Sequence, residues 1–342
     1  MINRQTSKNI LSIIFSKIPL SILENLTRTN IIYPYYHIIS DEEIFHVKHL
    51  YKYKTIREFK EDLDFLSTNY SPIGLPEILN HVKSGLPLPG NCFLLTFDDG
   101  FREMSDIVAP ILLEKGIPAT FFVNNAFIDN KQMCYLNKAS LIVEHFRKSW
   151  SQSLEKKLSG VLNTNNIRFR DIESGVLSIK YHQKDVLDKL AGVMNMDFSE
   201  YLLINKTYLT ARQIDKLIEN GFTIGAHSID HPLYSSLSLE DQVYQTLESV
   251  RCVREMFHLS YGVFAFPHND NEVSREFFLR ISNSGLIDLS FGTGGLIDDC
   301  IQNHLQRFSL EKPLDPAETI LAFQYLRKLK RLVTLSSIME RN

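Results

Sequence analysis

Short apolar runs alternate with helix-patterned segments along most of the chain. The apolar runs are too short for helices and are typical of buried strands in a parallel sheet; they cover residues 31–36, 93–97, 119–123, 222–225, 262–266, 286–291 and 305–310. Apolar residues spaced three or four positions apart predict helices at 55–69, 76–83, 101–115, 210–220, 239–257, 273–283 and 316–331. Such repeated alternation of strand and helix predicts a parallel α/β architecture.

The segment at about 129–206 interrupts this alternation. It is rich in Lys, Ser, Asn and Leu, has no strong strand pattern and is predicted to be mostly helical. We interpret it as an insertion over the C-terminal face of the strands, within a main domain that spans 31–335 and follows an N-terminal helical segment, 1–30. Two interpretations of the insertion stay open: helical padding, or a lid that selects the substrate.

Composition narrows the possible functions. The 342 residues are 44% hydrophobic, which is enough for a large core in one barrel or in two smaller domains. The net charge of −3 provides no broad basic surface for phosphate groups, so nucleic acid is not expected as a partner. The four cysteines, Cys92, Cys134, Cys252 and Cys300, form no CxxC pair, which favours a reducing compartment and gives no thiolate metal site.

The N-terminus carries a weak apolar run. Ile10–Phe15 follows Lys8 in the manner of a signal peptide, but Lys17 interrupts it and no cleavage motif of the A-x-A type follows. No stretch reaches the roughly 18 apolar residues that a membrane-spanning helix needs. We therefore expect a cytoplasmic protein whose N-terminal amphipathic helix lies on the protein or on a membrane surface. The basic run at 327–331 is expected on the exposed face of the last helix, where contact with an anionic membrane is the alternative.

The strongest chemical signal is the segment 93–100, FLLTFDDG. Its apolar residues predict a buried strand, and the groups that do chemistry in α/β folds sit at the C-terminal ends of such strands. Asp98 and Asp99 would repel each other there unless a cation or a shared proton relieves the repulsion. The economical arrangement is that one carboxylate holds a metal ion and the other acts as a base. The alternative is that Asp99 only caps the helix that starts near Phe101.

A second signal, His227-Ser-Ile-Asp-His231, directly follows the strand at 222–225. Histidines four positions apart lie on the same face of a helical turn and can reach one metal ion, although such a pair is often incidental. Ser228 stands where a metalloprotease of the HExxH type has its glutamate, so a third ligand and a base must come from elsewhere. Asp98 and Asp99 supply both.

These two motifs together resemble the signature of the polysaccharide deacetylase family (the NodB homology domain, carbohydrate esterase family 4). The family's first motif is TFDDG, found at 96–100, and its second is H-[ST]-x-x-H, found at 227–231. The resemblance spans Tyr36 to Leu310, with the insertion between the two motifs. It implies an α/β fold, a distorted (β/α) barrel with a mainly helical insertion, and a divalent metal, usually zinc, held by one aspartate and two histidines.

Carried over to this chain, the resemblance implies that Asp99, His227 and His231 are the metal ligands and that Asp98 is the general base. A metal ion with open positions lowers the pKa of a bound water and polarises an acetyl carbonyl. Asp98 would remove the proton from this water, and the metal would stabilise the oxyanion. Ser228 is interpreted as a turn residue, since no histidine–acid pair marks it as a nucleophile.

The later motifs of the family match less well. The third, R-x-P-[YF]-G or A-[YF]-P-[YF]-G, corresponds to Ala265-Phe-Pro267-His268-Asn269, which lacks the arginine that orients the base. The resemblance implies that Pro267 borders the substrate and that the main-chain N–H of His268 serves the oxyanion. The fourth motif, an Asp near a Trp, has no clear match, and Asp288 is a candidate only by its position after a strand.

The fifth motif, L-x-H, provides the general acid in the family and also lacks an intact match. His304 is the nearest histidine, and it competes with His268 for this role. Arg307 lies where some relatives carry an arginine-containing strand. We place Arg307 among the substrate-binding residues, together with His37 near the end of the first strand. For His37 a packed position at the rim of the cleft is the alternative.

From the resemblance we expect a metal-dependent hydrolase that removes N-acetyl groups from an amino-sugar-containing glycan or glycan precursor. An O-acetyl esterase would use the same site. The alternatives are an amidase that acts on a small amide other than a sugar, and a glycan-binding barrel without catalytic activity. The missing arginine and the unassigned acid motivate the second alternative, whereas the intact ligands and base argue against it.

Overall fold

The computed structural model describes residues 19–334, 336 and 338–341, so the apolar run at 10–15, for which an amphipathic helix is predicted, lies outside the described residues. The strands are β1 Ile31–Ile32, β2 Pro34–Tyr36, β3 Ser71–Pro72, β4 Cys92–Phe93, β5 Leu95–Phe97, β6 Ala119–Val123, β7 Thr223–Ala226, β8 Val263–Ala265, β9 Leu289–Gly292, β10 Asp298–Asp299, β11 His304–Gln306, β12 Phe308–Ser309 and β13 Ile338–Met339. The α-helices are α1 Leu20–Thr27, α2 Ile56–Asn69, α3 Leu75–Ser84, α4 Ala109–Lys115, α5 Tyr135–Ser149, α6 Gln152–Thr164, α7 Ile172–Leu177, α8 Asp185–Val193, α9 Phe198–Asn205, α10 Ala211–Glu219, α11 Leu239–Met256, α12 Arg275–Asn283 and α13 Ala317–Val333.

Eight parallel strands form a nearly closed barrel in the order β11-β9-β8-β7-β6-β5-β2-β12. The strands β5, β6, β8 and β9 are buried along their whole length, because helices cover the outside of a parallel barrel and side chains fill its inside. Continuous apolar runs in the sequence are the consequence of burial on both faces. The predicted α/β barrel is confirmed.

The barrel closes between β11 and β12, which are consecutive in the chain but lie at opposite ends of the strand order. Arg307 is the single residue between them. Its N–H donates to Gly292 O on the side of β9 (3.2 Å), and Phe308 N–H donates to Tyr33 O on the side of β2 (3.1 Å). The closure of the barrel therefore buries Arg307 completely, with 0% of its surface exposed.

Three runs predicted as single strands are each divided in two. The runs at 31–36 and 93–97 begin in a small parallel sheet, β1-β4-β3, and continue into the barrel as β2 and β5. The run at 305–310 divides at Arg307. Apolar periodicity cannot reveal these breaks, because both halves of a run are largely buried and only the pairing partner changes.

Local sequence sets several helix ends. Thr55 begins α2 with a capping box, in which its hydroxyl accepts from Glu58 N–H and the Glu58 carboxylate accepts from Thr55 N–H. Gly116 ends α4 in the left-handed conformation, with φ at 65°. The helix predicted from residue 101 starts later, because a loop and a π-helical turn, Met104–Val108, precede α4. Within the described part of the chain, no helix combines the length and the apolar character needed to cross a membrane.

The helices α5–α9 lie between β6 and β7 and build a second apolar core. Side chains from four of these helices are fully buried in it: Ile142, Leu158, Leu162, Val176, Leu187 and Leu190. The same core includes loop residues of the barrel: Ile38, Phe101, Phe127 and Tyr208. The inserted helices therefore pack directly on the loops at the C-terminal ends of the barrel strands.

Candidate active site

The loops that follow four barrel strands meet at one end of the barrel. Because parallel strands all point the same way, their C-terminal ends share one face, where the side chains of the following loops converge. The predicted site residues on these loops are His37 after β2, Asp98 and Asp99 after β5, His227 and His231 after β7, and Pro267 and His268 after β8.

Asp99, His227 and His231 converge on one point. Asp99 Oδ1 lies 3.4 Å from His227 Nε2 and 3.1 Å from His231 Nε2. Among the described residues, Asp99 Oδ1 and His227 Nε2 are buried without a hydrogen-bond partner, although buried polar atoms are almost always paired. One carboxylate oxygen and two imidazole nitrogens form a donor set that suits zinc with an open position. The three side chains therefore fit a divalent metal ion.

One hydrogen bond orients the ring of His227, and another fixes the backbone at His231. His227 Nδ1 donates to Ala265 O over 2.9 Å, an assignment of the tautomer that leaves Nε2 free to face Asp99. Ser228 Oγ accepts from His231 N–H at 3.0 Å and closes the turn between the histidines. Asp99 (φ 75°), Ser228 (φ 69°) and His231 (φ 66°) all have left-handed backbone, which is strained for residues other than glycine. Strain of this kind clusters at functional sites.

The carboxylate of Asp98 pairs with an arginine and not with the two histidines. Arg307 NH1 and NH2 donate to Asp98 Oδ1 and Oδ2, both at 2.7 Å, and NH1 also donates to Thr96 Oγ1 at 3.0 Å. Burial by itself raises the pKa of Asp98, but the Arg307 guanidinium, together with His227 and His37, holds this pKa below its ordinary value. Asp98 therefore stays ionised, and the bidentate pair fixes the direction of its carboxylate.

His37 forms a second pair with an acidic side chain. Its Nδ1 and its main-chain N–H both donate to the carboxylate of Glu311, which also accepts from Ile38 N–H at 3.0 Å. Burial lowers the pKa of His37, but Glu311 outweighs burial and raises this pKa to about 9. The imidazole therefore carries its proton at neutral pH, and Nε2 remains available to a molecule in the pocket.

Of these groups, His37, Asp98, Asp99 and His231 line a cavity of about 420 Å³. Much of its wall is aromatic: Tyr35, Tyr51, Phe127, Tyr208 and Phe266. The inserted segment contributes Cys134, Leu136, Asn137 and Leu177. Apolar and aromatic walls with a few convergent polar groups are typical of sites that bind small molecules or single units of a larger one.

The remaining predicted residues lie in different environments. His268 is exposed at the mouth of the pocket, with φ at 57°, and its ring meets that of His231 at 4.6 Å between centroids. Pro267 is buried beside it. His304 is not among the residues that line the pocket, because its buried ring hydrogen-bonds to Asp270 Oδ2 at 3.0 Å and to Ser290 Oγ at 2.7 Å. The structure thus brings His268, but not His304, to the pocket.

Sequence reasoning missed two features of this site. Arg307 is predicted to bind the substrate, but the structure buries its guanidinium on Asp98, where it fixes the carboxylate of the predicted base. A signal for this was present, since Leu305-Gln306-Arg307 has the spacing of L-x-H with arginine in the place of histidine. No comparable signal marks Glu311, which lies 274 residues from His37 in the chain.

Comparison with known proteins gives a family and a fold. Residues 86–279, more than half of the chain, match the family model described as Polysaccharide deacetylase. No curated protein matches the chain. Three similar solved structures are the Streptococcus pyogenes deacetylase PplD in complex with acetate, IcaB from Ammonifex degensii, and a de-N-acetylase from Aggregatibacter actinomycetemcomitans.

The structural similarity extends over nearly the whole of each compared protein. PplD is 14% identical, with 86% of this chain and 97% of PplD covered and a TM-score of 0.54. IcaB is 15% identical, with coverages of 87% and 97% and a TM-score of 0.52. The third protein is 13% identical, with coverages of 86% and 99% and a TM-score of 0.52. At these identities the comparison shows a shared fold.

Proposed function

The chain belongs to the polysaccharide deacetylase family, hydrolases that act on amide carbon–nitrogen bonds, and we propose that it removes N-acetyl groups from an amino-sugar-containing glycan or glycan precursor. We propose further that it needs a divalent metal ion, zinc, held by Asp99, His227 and His231. The observation that carries both proposals is the convergence of these three side chains, each with one unpaired buried atom, beside an Asp98 whose charge is separately balanced by Arg307.

The metal ion would supply a Lewis acid and a lowered pKa for water at this point. Asp98 is the base that accepts a proton from the attacking water, because it is ionised, lines the pocket and is adjacent in sequence to the ligand Asp99. The bidentate contact with Arg307 leaves each oxygen of Asp98 a second lone pair for that proton. Arg307 is thus a positioning residue rather than a substrate ligand.

The leaving amine needs a proton, and His37 is our candidate donor. When water adds to the acetyl carbon and the C–N bond breaks, the sugar nitrogen leaves only if it is protonated, and the products are acetate and a free amine. His37 lines the pocket, and Glu311 keeps it protonated at neutral pH. His268 lies at the mouth of the pocket, and we assign its main-chain N–H to the oxyanion.

A proton donor that is held in place in the pocket favours hydrolysis of amides over hydrolysis of esters. An amine is a much poorer leaving group than an alcohol, so an amidase depends more strongly on a general acid. The pair of His37 with Glu311 therefore supports removal of N-acetyl groups, while O-acetyl esters remain secondary substrates. The aromatic walls of the cavity suit the apolar faces of a sugar ring.

Acetate release tests this function. Zinc-loaded wild type and Asp98→Asn would be compared on a panel of N-acetylated and O-acetylated glycans and amino-sugar precursors. We expect wild type to release acetate, and Asp98→Asn to retain zinc but lose activity. If wild type binds zinc and releases acetate from no member of the panel, the deacetylase function is wrong for these substrates.

A further inference from the structure

The turn that carries both proposed histidine ligands, residues 227–231 (the metal loop), is held from two sides. On the barrel side, Asn124 Nδ2 donates to two main-chain carbonyls of the loop, and Gln245 Oε1 accepts from Ile229 N–H at 3.0 Å. On the opposite side, two residues of the inserted segment, Tyr181 and Lys184, hydrogen-bond to Asp230 of the loop. Asp230 lies between the two histidines in sequence, and the mechanism proposed above assigns it no part.

Asp230 is surrounded by hydrogen-bond donors. Tyr181 Oη lies 2.7 Å and 2.8 Å from the two oxygens of Asp230, Lys184 Nζ donates at 2.6 Å, and Gln245 Nε2 donates at 2.9 Å. Lys184 also lies 4.3 Å from the centroid of the Tyr181 ring. The Asp230 side chain is only 16% exposed. Two of its three partners thus come from the insertion, at the start of α8.

We propose that Tyr181 and Lys184 are positioning residues for the proposed metal ligand His231 and act on it through Asp230. The insertion then has a role beyond forming a wall of the pocket, because its docking and the formation of the metal site are coupled. This inference rests on the proposed metal centre. It deepens that proposal, since it explains why a long insertion contacts the metal loop through a partly buried carboxylate.

The conformation of the metal loop explains why such support is needed. Ser228 and His231 both have left-handed backbone, which is strained for residues other than glycine. Strained conformations persist only where surrounding contacts over-determine them. Hydrogen bonds to a charged carboxylate are shorter and stronger than neutral ones, so the contacts of Tyr181 and Lys184 are suited to this task.

Zinc affinity measures the coupling directly. Tyr181→Phe and Lys184→Met each remove one donor to Asp230 and preserve the rest of the side chain. Contacts that orient metal ligands from behind are worth roughly 10–100-fold in metal affinity, so we expect each variant to bind zinc about tenfold more weakly than wild type. The measurement is competition with a chromogenic chelator, which needs no substrate.

Matched controls come from the same insertion. Tyr201→Phe removes a hydroxyl that contacts His46, and Lys189→Met removes an ammonium that contacts Asn165; neither residue touches the metal loop. Both controls are expected to bind zinc with wild-type affinity. In the Asp230→Asn background, Lys184→Met is expected to add little, because the charge on which it acts is already gone. A purely structural role would instead lower stability without this dependence on Asp230.

The same coupling can be measured from the other direction, as the effect of zinc on the docking of the insertion. If the insertion stabilises the metal site, zinc must stabilise the docked insertion by the same free energy. The main-chain N–H groups of Gln183 and Lys184 donate hydrogen bonds within the short helical segment that contains Tyr181. Their exchange with solvent deuterium therefore reports whether this segment is docked on the metal loop. We expect zinc to slow this exchange in wild type and to have a smaller effect in Asp230→Asn.

The outcomes separate this inference from the proposed function. Zinc affinities of Tyr181→Phe and Lys184→Met equal to those of the controls would overturn the inference and leave the metal centre intact. Failure of the folded wild type to bind any divalent ion would overturn both. A tenfold loss in these two variants, with recovery of acetate release at saturating zinc, supports the coupling even though neither side chain reaches the pocket chemistry.

Discussion

Two clusters of acidic and histidine side chains have similar composition but balance their charge differently. The first, the pocket cluster, is Asp99, His227 and His231; the second, the arginine-filled cluster, is Asp270, Asp299 and His304. In each, one potential ligand atom per residue lies within 4.8 Å of the others. In the pocket cluster, buried atoms of Asp99 and His227 have no hydrogen-bond partner in the described part of the chain. Their charge and lone pairs are left for an ion.

In the arginine-filled cluster, the protein supplies the cation itself. Arg341 follows β13, which pairs in parallel with β10, and its guanidinium contacts the carboxylates of both Asp270 and Asp299. Gln306 Nε2 donates to the same two carboxylates at 2.7 and 2.9 Å. The types of side chain that meet are therefore a weak guide to metal binding. The informative feature is whether an internal cation and hydrogen-bond donors already satisfy them.

The largest expected effect is the loss of metal from the pocket cluster. Asp99→Ala is expected to abolish stoichiometric zinc binding and acetate release, because two imidazoles alone hold zinc poorly. Asp299→Asn, which removes a carboxylate from the arginine-filled cluster, is expected to keep one zinc ion per chain. Metal analysis of the purified, dialysed proteins measures this. Zinc retained by Asp99→Ala and lost by Asp299→Asn would reverse the assignment of the two clusters.

Asp98 sharpens the comparison, since it is adjacent to Asp99 but resembles Asp270 in having an arginine as its partner. The comparison therefore predicts that Asp98, whose charge an arginine already balances, is a base and not a metal ligand. Asp98→Asn is expected to lower kcat by about 10²–10⁴-fold with zinc affinity unchanged, the range for loss of a general base. Steady-state acetate release and zinc titration measure the two quantities. A parallel fall in zinc affinity would show that Asp98 is a ligand.

Removal of Arg341 would break the charge balance of the arginine-filled cluster. Burial raises the pKa of Asp270, whereas His304 and Arg341 outweigh burial and hold it well below its ordinary value, so the carboxylate stays charged. Arg341→Met leaves that charge buried and uncompensated, which is expected to lower the free energy of unfolding by about 3–5 kcal/mol. Urea denaturation measures the change.

A double variant tests whether charge is the cause of this loss. Arg341→Met combined with Asp270→Asn removes the uncompensated charge and is expected to regain part of the stability. If Arg341→Met unfolds at the same urea concentration as wild type, Arg341 contributes nothing to the stability of the fold.

The two clusters also separate the two candidate proton donors, because His304 belongs to the arginine-filled cluster while His37 lines the pocket. His37→Gln is expected to lower kcat by about 10²-fold, at the lower end of the range for general acids. His304→Gln is expected to lower stability and to leave kcat of the folded enzyme near wild type. Kinetics on protein shown to be folded by circular dichroism measure the difference, and the opposite result would return the acid role to His304.

The pH dependence gives the smallest expected effect. Burial lowers the pKa of His37, but the carboxylates of Glu311, Asp99 and Asp98 raise it to about 9. Because this pKa is raised, the proton is bound at neutral pH and is lost as pH rises through about 9. We expect kcat to fall above this pH in wild type, about tenfold per unit, and this limb to be absent in His37→Gln.

The same pair should affect stability in a predictable direction. A histidine whose pKa is raised on folding stabilises the native state fully below its unfolded pKa, about 6.5, and this contribution disappears as pH rises to about 9. Urea denaturation of wild type and His37→Gln across this window measures it. A constant difference between the two proteins from pH 6 to pH 9.5 would contradict the pair.

Much of the candidate site follows from local sequence. Asp98 and Asp99 directly follow an apolar run, and His227 and His231 follow another, so a parallel barrel places all four on one face. The interpretation of His304 and Arg307 could not be settled in this way. Both lie in or between β11 and β12, the two end strands of the barrel. A shift of one residue along the chain there decides whether a side chain enters the barrel or faces another cluster.

The sequence by itself determined the alternation of strands and helices and the two motifs that converge at one end of the barrel, because these depend on patterns within a few residues. The barrel itself was implied by the resemblance to the family. The tertiary structure alone decided which charge meets which. Arg307 reaches Asp98 across 209 residues, Glu311 reaches His37 across 274, and Arg341 reaches Asp270 across 71. Burial makes such pairings obligatory, since an unpaired charge inside the protein is costly. The local sequence pattern does not indicate the charged partner of a residue, because that partner comes close only when the barrel forms and the helices pack.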